Sequence, residues 1–175
     1  NDDLHVLVVG YKNDTVAKDL SSIPLVKKVL QLDSPECENQ LAECVSPVII
    51  NIADQYSHIL APATTFGKNV MPRVAAILDI SQVSDIIKIE SEDTFIRPIY
   101  AGNALATIKS MDVRKIITIR PTSFDAAPTS GGNAVIEKIT QPEKQTKSEF
   151  IKREESKSER PELSTARVVI SGGRG

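Results

Sequence analysis

The first eighty residues alternate between short apolar runs and stretches in which apolar residues recur every three or four positions. The apolar runs predict strands that are buried on both faces, and the periodic stretches predict helices. A regular alternation of this kind predicts a parallel sheet with helices on both faces, a three-layer α/β architecture. Three strand–helix pairs follow one another, at residues 4–11 and 13–20, 28–32 and 34–54, and 58–63 and 67–78.

Capping residues and prolines mark the ends of these predicted helices. Ser34 and Pro35 open the second helix with a cap hydroxyl and a proline at the first helical position. Pro47 lies inside the same stretch and should kink or break it. Either Thr64 or its neighbour Thr65 caps the third helix, and Pro72 is expected near its first turn.

After Asp79 the alternation of strands and helices ends, and strand-like segments follow one another with only short polar turns between them. Turns at residues 91–93 and 102–103 predict hairpins, the second with Gly102 at positive φ, so antiparallel strands are added to the sheet. A final strand follows a long loop rich in small residues. The predicted strands are residues 85–91, 94–101, 104–110, 115–120 and 134–140.

The composition changes again in the last fifth of the chain, from residue 141 onward. Residues 143–162 contain six basic and six acidic residues and few large apolar ones, which is typical of a solvated linker, with a short helix around residues 148–155 as one option. We therefore predict an α/β domain at residues 1–140, an interdomain linker at 141–164, and the first strand and turn of a truncated second domain at 165–175.

Composition narrows the possible functions. The formal net charge of −2 does not favour nucleic acid as a partner, and no apolar stretch approaches the ~20 residues of a membrane-spanning helix. Cys37 and Cys44 fall on one predicted helix, about 10 Å apart at 1.5 Å per residue. That separation predicts free thiols of a reducing compartment rather than a disulfide. Their spacing, with no histidine nearby, is not a zinc pattern either.

The turn after the third strand is the first candidate binding site, because ligands of open α/β sheets bind at the carboxyl ends of the strands. Thr64, Thr65, Lys68 and the first helix amides could hold an anion there. The segment lacks a Walker loop, since position 62 is proline rather than glycine. The alternative is a capped helix with a close-packing glycine at Gly67.

Other polar residues predict little chemistry. His5 and His58 stand at the heads of strands without a nucleophile at triad-like positions, so surface or strand-edge roles are expected. Asp79, Asp85 and Asp93 are separated by hydrophobic residues and turns, which favours turn and cap roles over paired-carboxylate catalysis. No catalytic and no metal-binding residue is predicted.

The end of the chain carries the second candidate site. A β-branched run at residues 167–170 precedes the turn Ser171-Gly172-Gly173-Arg174-Gly175. A strand that enters a glycine-rich turn is typical of a phosphate-binding loop, although a disordered tail is the alternative.

Several segments together resemble the electron transfer flavoprotein α-subunit family, in order and with similar spacing. The resemblance covers nearly the whole chain from His58 onward and is looser before it. The matching segments are Thr65-Phe66-Gly67-Lys68-Asn69, Pro72-Arg73-Val74-Ala75-Ala76, Ser84-Asp85-Ile86-Ile87, Ile99-Tyr100-Ala101-Gly102-Asn103-Ala104, Thr122-Ser123-Phe124-Asp125-Ala126, Ser130-Gly131-Gly132, Arg160-Pro161-Glu162-Leu163 and Val168-Val169-Ile170-Ser171-Gly172-Gly173-Arg174-Gly175.

This resemblance implies an electron carrier subunit rather than an enzyme with its own substrate. The expected fold is adenine-nucleotide-hydrolase-like and packs on a β subunit that holds AMP. FAD is expected in a C-terminal domain that is almost wholly missing here, with Arg174 at the flavin and Gly172 and Gly173 allowing close backbone approach. The family usually has a further strand and helix before residues 4–10, so the first strand and helix of the fold are expected to be missing.

The resemblance also implies the route of the electrons, from acyl-CoA and related dehydrogenases to a membrane quinone oxidoreductase. The compartment would be a mitochondrial matrix or a bacterial cytoplasm. Two alternatives remain from the residues themselves. One is an adenine-nucleotide-binding α/β domain that uses residues 64–69, and the other is an interaction scaffold.

Overall fold

The structure is a computed structural model that describes residues 3–142, 148–154 and 168–173. Within these residues the chain forms nine strands and three α-helices, with short 3₁₀ turns between some of them. In chain order the elements are β1 (Leu4–Gly10), α1 (Asp14–Ser21), β2 (Val26–Asp33), α2 (Ala42–Ile52), β3 (His58–Pro62), α3 (Thr65–Ile77), β4 (Gln82–Ile86), β5 (Lys88–Ile89), β6 (Thr94–Ile99), β7 (Ala104–Lys109), β8 (Lys115–Ile119) and β9 (Val135–Lys138).

The strands form three sheets of three strands each, in the orders β1-β2-β9, β3-β8-β4 and β5-β6-β7. The first two sheets are parallel and the third is antiparallel. The predicted α/β class, with parallel strands and added antiparallel strands, is therefore confirmed. The position of β8 was not foreseen, because the chain leaves the parallel sheet after β4, forms the antiparallel sheet, and returns as β8 between β3 and β4.

Alternating side chains of β1 show how the helices cover both faces of its sheet. Val8 packs with Ala17 of α1, whereas Leu7 and Val9 pack with residues of α2 and α3. Since successive side chains of a strand point to opposite faces, α1 lies on one face and the α2–α3 pair on the other. Ile59 of β3 joins the α2–α3 side, so the two parallel sheets share that layer of the core.

Strand β8 links the two remaining core layers in the same way. Ile116 is fully buried with α2 and α3, and Ile117 is fully buried against Phe95 of the antiparallel sheet. The antiparallel sheet thus covers the face of β3-β8-β4 that the helices leave open. Among the described residues the core is mainly aliphatic, with Phe95 as a buried aromatic side chain, in keeping with the low aromatic content.

The prediction of one helix over residues 34–54 is wrong, and so is the prediction of two free thiols. Residues Pro35–Cys37 form a separate 3₁₀ turn, and Gln40 at φ 49° reverses the chain before α2 begins at Ala42. The Cα atoms of Cys37 and Cys44 are consequently 5.9 Å apart and the pair forms a disulfide. The inference of a reducing compartment, which rested on free thiols, loses its basis.

The two helix prolines also differ from expectation. Pro47 lies inside α2, and the helix continues to Ile52 without a break. Pro72 lies in the middle of α3 rather than near its first turn. Each proline removes one backbone hydrogen bond, and each helix keeps an apolar face that is buried against the sheets.

Strand β9 pairs with β2 in parallel, with Lys28 opposite Val135 and Gln31 opposite Lys138. The turn before it is anchored on the end of α1, where the Gly132 amide donates to the Ser22 carbonyl over 2.7 Å. A Cβ on Gly132 would lie 2.4 Å from the Ile23 carbonyl oxygen. The Ser130-Gly131-Gly132 segment is thus a close-packed structural turn.

After β9 the chain stays attached for a few residues. The Gln141 side chain donates to a Glu36 carboxylate oxygen over 2.8 Å and contacts the Cys44 sulfur at 3.8 Å. Within the segment predicted to be a linker, residues 148–154 are described and are not helical, contrary to the helix option there. Residues Val168 to Ile170 are exposed and are not paired in a strand, so the strand predicted there is not seen.

Candidate functional site

The turn between β3 and α3 is closed by its own contacts. Thr64, not Thr65, is the cap, and its side-chain oxygen accepts a hydrogen bond from the Gly67 amide over 3.3 Å. Gly67 is buried, and a Cβ there would lie 2.0 Å from the Pro62 carbonyl oxygen. The interpretation as a capped helix with a close-packing glycine is confirmed. Lys68, in contrast, is exposed and lines a pocket beside the helix.

The β1–α1 turn is likewise occupied. The Asn13 side chain donates to the Leu32 carbonyl over 2.8 Å, and the Gln31 amide nitrogen donates to side-chain oxygens of Asn13 and Asp14, each over 2.8 Å. Asn13 and Gln31 are buried. The polar groups at the carboxyl ends of β1 and β2 therefore satisfy one another, as buried polar groups must.

An ion pair joins the ends of β4 and β8. Arg120, directly after β8, donates to both carboxylate oxygens of Asp85, with Nε to Oδ1 at 3.2 Å and a second, shorter bond from the terminal nitrogen to Oδ2. Asp85 has φ 57°, a left-handed conformation that aspartate adopts more readily than most residues. That conformation lets its amide donate to the buried Thr118 hydroxyl over 2.9 Å.

The charge around Asp85 is predominantly positive. The hydrogen bonds from Arg120 hold the pKa of the Asp85 carboxyl below its ordinary value, and the positive charges of Arg120, Lys68 and Arg97 act in the same direction, against the opposing effect of partial burial. Because Arg120 already neutralises Asp85, the charges of Lys68 and Arg97 are left without a matching carboxylate at this place.

Between α3, β4 and β6 lies a surface pocket of about 400 Å³. Within the described part of the chain, neither Lys68 nor Arg97 takes part in an ion pair. The Nε atom of Arg97 is shielded from solvent and has no hydrogen-bond partner. The pocket is lined by Lys68, Pro72, Gln82, Ser84, Asp85 and Arg97.

We name this set of lining residues the α3–β4 pocket. Lys68 was among the predicted anion ligands, whereas Arg97 was not predicted and Asp85 was expected only in a turn or cap role. A signal for Arg97 was present, since it is a charged residue inside the apolar segment 94–99. The Asp85–Arg120 pair had no local signal, because the two residues are 35 positions apart.

A strained turn follows β6. Tyr100, Ala101 and Gly102 have φ values of 51°, 55° and 92°, so the predicted positive φ of Gly102 is confirmed and its two neighbours share it. A left-handed non-glycine residue costs roughly 1–2 kcal/mol. The Tyr100 side chain is nonetheless 78% exposed.

The two histidines and Asp93 form hydrogen bonds with groups close to them in the fold. His5 Nδ1 bonds the Tyr56 hydroxyl at 2.8 Å, and His58 bonds the Ser57 hydroxyl and the Glu92 carbonyl at 2.9 and 2.6 Å. Asp93 accepts hydrogen bonds from two neighbouring hydroxyls in its turn. Among the described residues, no cluster of three potential metal ligands is found, and no helix of the described chain is long and apolar enough to cross a membrane.

The predicted flavin contact, Arg174, lies outside the described residues. The preceding residues Ser171 to Gly173 are exposed, and no atom lies within 4 Å of a Cβ added at Gly172 or Gly173. The glycine turn is therefore sterically open, but the described residues build no walls around it. They do not by themselves fit a flavin, and no chemical step is derived from them.

Comparison with known proteins agrees with the motif pattern. A family described as the electron transfer flavoprotein domain matches residues 1–144. The chain is 50% identical to the electron transfer flavoprotein subunit alpha of Pseudomonas aeruginosa over 173 residues, which cover 99% of this chain and 56% of that protein.

Two further relatives are similarly close. The chain is 46% identical to the mitochondrial electron transfer flavoprotein subunit alpha of Dictyostelium discoideum, covering 98% of this chain and 53% of that protein. It is also 46% identical to the subunit alpha of Paracoccus denitrificans, covering 99% of this chain and 56% of that protein. The chain thus spans little more than half the length of these relatives, which come from both bacteria and mitochondria.

Proposed function

This chain belongs to the electron transfer flavoprotein family and matches its α subunits, and on that premise we propose that it is the N-terminal α/β portion of such a subunit. The complete protein would carry electrons on FAD from acyl-CoA and related dehydrogenases to a membrane quinone oxidoreductase. It would act as an electron carrier and not as an enzyme with its own substrate. Its compartment would be a mitochondrial matrix or a bacterial cytoplasm.

The observation that carries this proposal is the family match over residues 1–144, together with the ordered motifs that continue to Gly175. FAD would be held mainly by the part of the protein that follows these residues, with Arg174 as the first contact of this chain. A guanidinium beside a flavin can donate hydrogen bonds to it and stabilise an anionic reduced form. AMP would be held by the β subunit.

We assign residues 1–140 the role of a structural domain that binds the β subunit. The strained turn at Tyr100 supports a contact role for the end of the antiparallel sheet, because left-handed non-glycine residues are retained where surrounding structure or function demands them. Tyr100 and Leu105 are 78% and 63% exposed, and aromatic side chains are frequent anchors of protein interfaces.

The test is to express the full-length α subunit with its β partner and to record the visible spectrum of the purified complex. We expect flavin absorbance bands, and bleaching of those bands when an acyl-CoA dehydrogenase and its substrate are added. A complex without flavin, or a flavin that no dehydrogenase reduces, would refute the electron-carrier proposal. Arg174→Ala should lower flavin retention or shift the flavin potential, and Arg73→Ala on the exposed surface of α3 serves as the control.

Tyr100→Ala tests the contact role separately. We expect weaker association of the two subunits, measured by analytical ultracentrifugation, with an unchanged denaturation midpoint of the isolated subunit. Association of unchanged strength would remove this turn from the interface. The alternative of an adenine-nucleotide-binding domain at residues 64–69 has no support from the turn geometry, because Thr64 and Gly67 are used in closing the turn.

A further inference from the structure

We propose that the α3–β4 pocket binds a small organic phosphomonoester, with Lys68 and Arg97 as the groups that hold the phosphate. This site is separate from the β3–α3 turn itself and from the proposed flavin contact at Arg174. It does not depend on the electron-carrier proposal, because it rests on the geometry of the pocket and of the Asp85–Arg120 pair beside it.

Two cationic side chains, Lys68 and Arg97, line the pocket. Lys68 extends from the first turns of α3 and Arg97 from β6, and both line the same pocket as Ser84 of β4. Two different elements thus direct a positive charge to one place, with a hydroxyl donor beside them. Arg and Lys side chains, together with hydroxyl groups, are common phosphate ligands in proteins.

The Arg97 side chain carries an unsatisfied hydrogen-bond donor. The Nε–H group of Arg97 is shielded from solvent and has no acceptor among the described residues. A buried donor without a partner is unfavourable, and it is more so when the group is charged. An oxyanion in the pocket would place a compensating negative charge beside this group, and the terminal nitrogens of the planar guanidinium can bind two phosphate oxygens at once.

The charged side chains of the pocket leave an excess of positive charge. Asp85 also lines the pocket, but Arg120 forms two hydrogen bonds with its carboxylate and neutralises it. Two positive charges then remain, on Lys68 and Arg97. A phosphomonoester carries a charge of about −1.5 to −2 at neutral pH, which compensates both cations, whereas a single carboxylate would compensate only one.

The pocket has enough volume for a small organic ligand. The pocket of about 400 Å³ falls within the ~300–1,000 Å³ of typical small-molecule sites, and it exceeds what a free phosphate ion fills. Pro72 offers an apolar wall and Gln82 an amide for the organic part of a ligand. A phosphate that is attached to a small organic group therefore suits the pocket better than inorganic phosphate.

The experiment is isothermal titration calorimetry of the full-length protein in complex with its partner. Phenyl phosphate is the probe, benzoate is the carboxylate of matching shape, and inorganic phosphate lacks the organic group. We expect phenyl phosphate to bind more tightly than either of the other two ligands. Equal or tighter binding of benzoate would overturn the assignment to phosphate, and equal binding of inorganic phosphate would overturn the organic part of it.

Variants locate the binding site. Lys68→Gln should weaken phenyl phosphate binding about ten- to one-hundredfold, the effect of losing one charge-assisted hydrogen bond. Arg97→Gln should weaken binding at least as much, and Arg97→Lys should restore only part of the affinity, because the fork is lost. Lys88→Gln, on the exposed strand β5 outside the pocket, is the matched control and should bind like wild type.

Lys68 is exposed on a helix surface, so its variant should fold even where Arg97→Gln does not. Undiminished affinity in Lys68→Gln, or no binding of phenyl phosphate to the wild-type complex at millimolar concentration, would overturn the proposal. Because flavin content is measured on the same samples, a failure of the phosphate site remains distinguishable from a failure of the electron-carrier role.

Discussion

Replacing Gly67 by alanine tests the closed geometry of the β3–α3 turn. In an ordinary helix the change from glycine to alanine stabilises by roughly 1 kcal/mol, because alanine has less backbone freedom to lose. At Gly67 we expect the opposite sign. The added Cβ would lie 2.0 Å from the Pro62 carbonyl oxygen, 3.2 Å from its carbon and 3.6 Å from the Ala61 Cβ.

The size of the effect follows from these distances. Ordinary contacts of a Cβ begin at 3.4 Å, so the helix and the carbonyl must separate by 3.4 − 2.0 = 1.4 Å. The obstacle is backbone, which cannot rotate away like the end of a side chain. Forced overpacking costs about 1–3 kcal/mol, and disturbing the Thr64 cap adds about 1 kcal/mol. After the gain in helix propensity we expect a net loss of about 1–3 kcal/mol.

Urea denaturation followed by circular dichroism measures this loss directly. In a thermal scan it should lower the midpoint by roughly 2–12 °C, at ~2–4 °C per kcal/mol for a domain of this size. Asn69→Ala is the matched control, because Asn69 is exposed on the same helix and should gain roughly 0.5 kcal/mol. If Gly67→Ala raised the midpoint as Asn69→Ala does, the close packing against Pro62 would be refuted.

Three further changes test other parts of the structure. Gly132→Ala places a Cβ 2.4 Å from a carbonyl oxygen and should lose about 1–3 kcal/mol of unfolding free energy; an unchanged urea midpoint would contradict the packed turn. Asp93 has a pKa lowered to about 2 by hydrogen bonds from Thr94, Ser91 and Lys109. Its contribution to stability is therefore complete above about pH 4 and is lost as the pH falls through 2. On acidification the denaturation midpoint of Asp93→Asn should consequently fall less than that of wild type, and equal falls would refute this. The disulfide of Cys44 closes a short loop and should contribute about 2–3 kcal/mol, so a thiol reductant should lower the wild-type midpoint but leave that of Cys44→Ser unchanged.

Local sequence signals predicted the elements that depend on local interactions. The strands at residues 4–11 and 58–63 and the helices after them were placed within a few residues, because aliphatic runs and capping residues lie next to the elements they define. The glycine at position 67 was also interpreted correctly, since its context of strand, threonine and helix is contiguous.

Nonlocal features could not be predicted in this way. The insertion of β8 between β3 and β4 depends on pairing between segments that are distant in sequence, and no local pattern encodes that choice. The disulfide was missed because a single residue, Gln40 at positive φ, reverses a segment that reads as one helix. Only one of the two cations of the α3–β4 pocket could be predicted from sequence. Lys68 follows a recognisable turn, whereas Arg97 is brought beside it only by the fold.

The pairing of β9 with β2 has a consequence for synthesis of the protein on the ribosome. Gln31 of β2 meets Lys138 of β9, so one side of β2 stays unpaired until more than a hundred further residues have been made. At ~5–20 residues per second that interval is roughly 5 to 20 seconds. During it, β2 presents open backbone donors and acceptors beside an aliphatic strand, a surface that favours aggregation. Protection of this edge of β2 therefore has to wait for β9, which the Gly132 turn leads into its place beside β2.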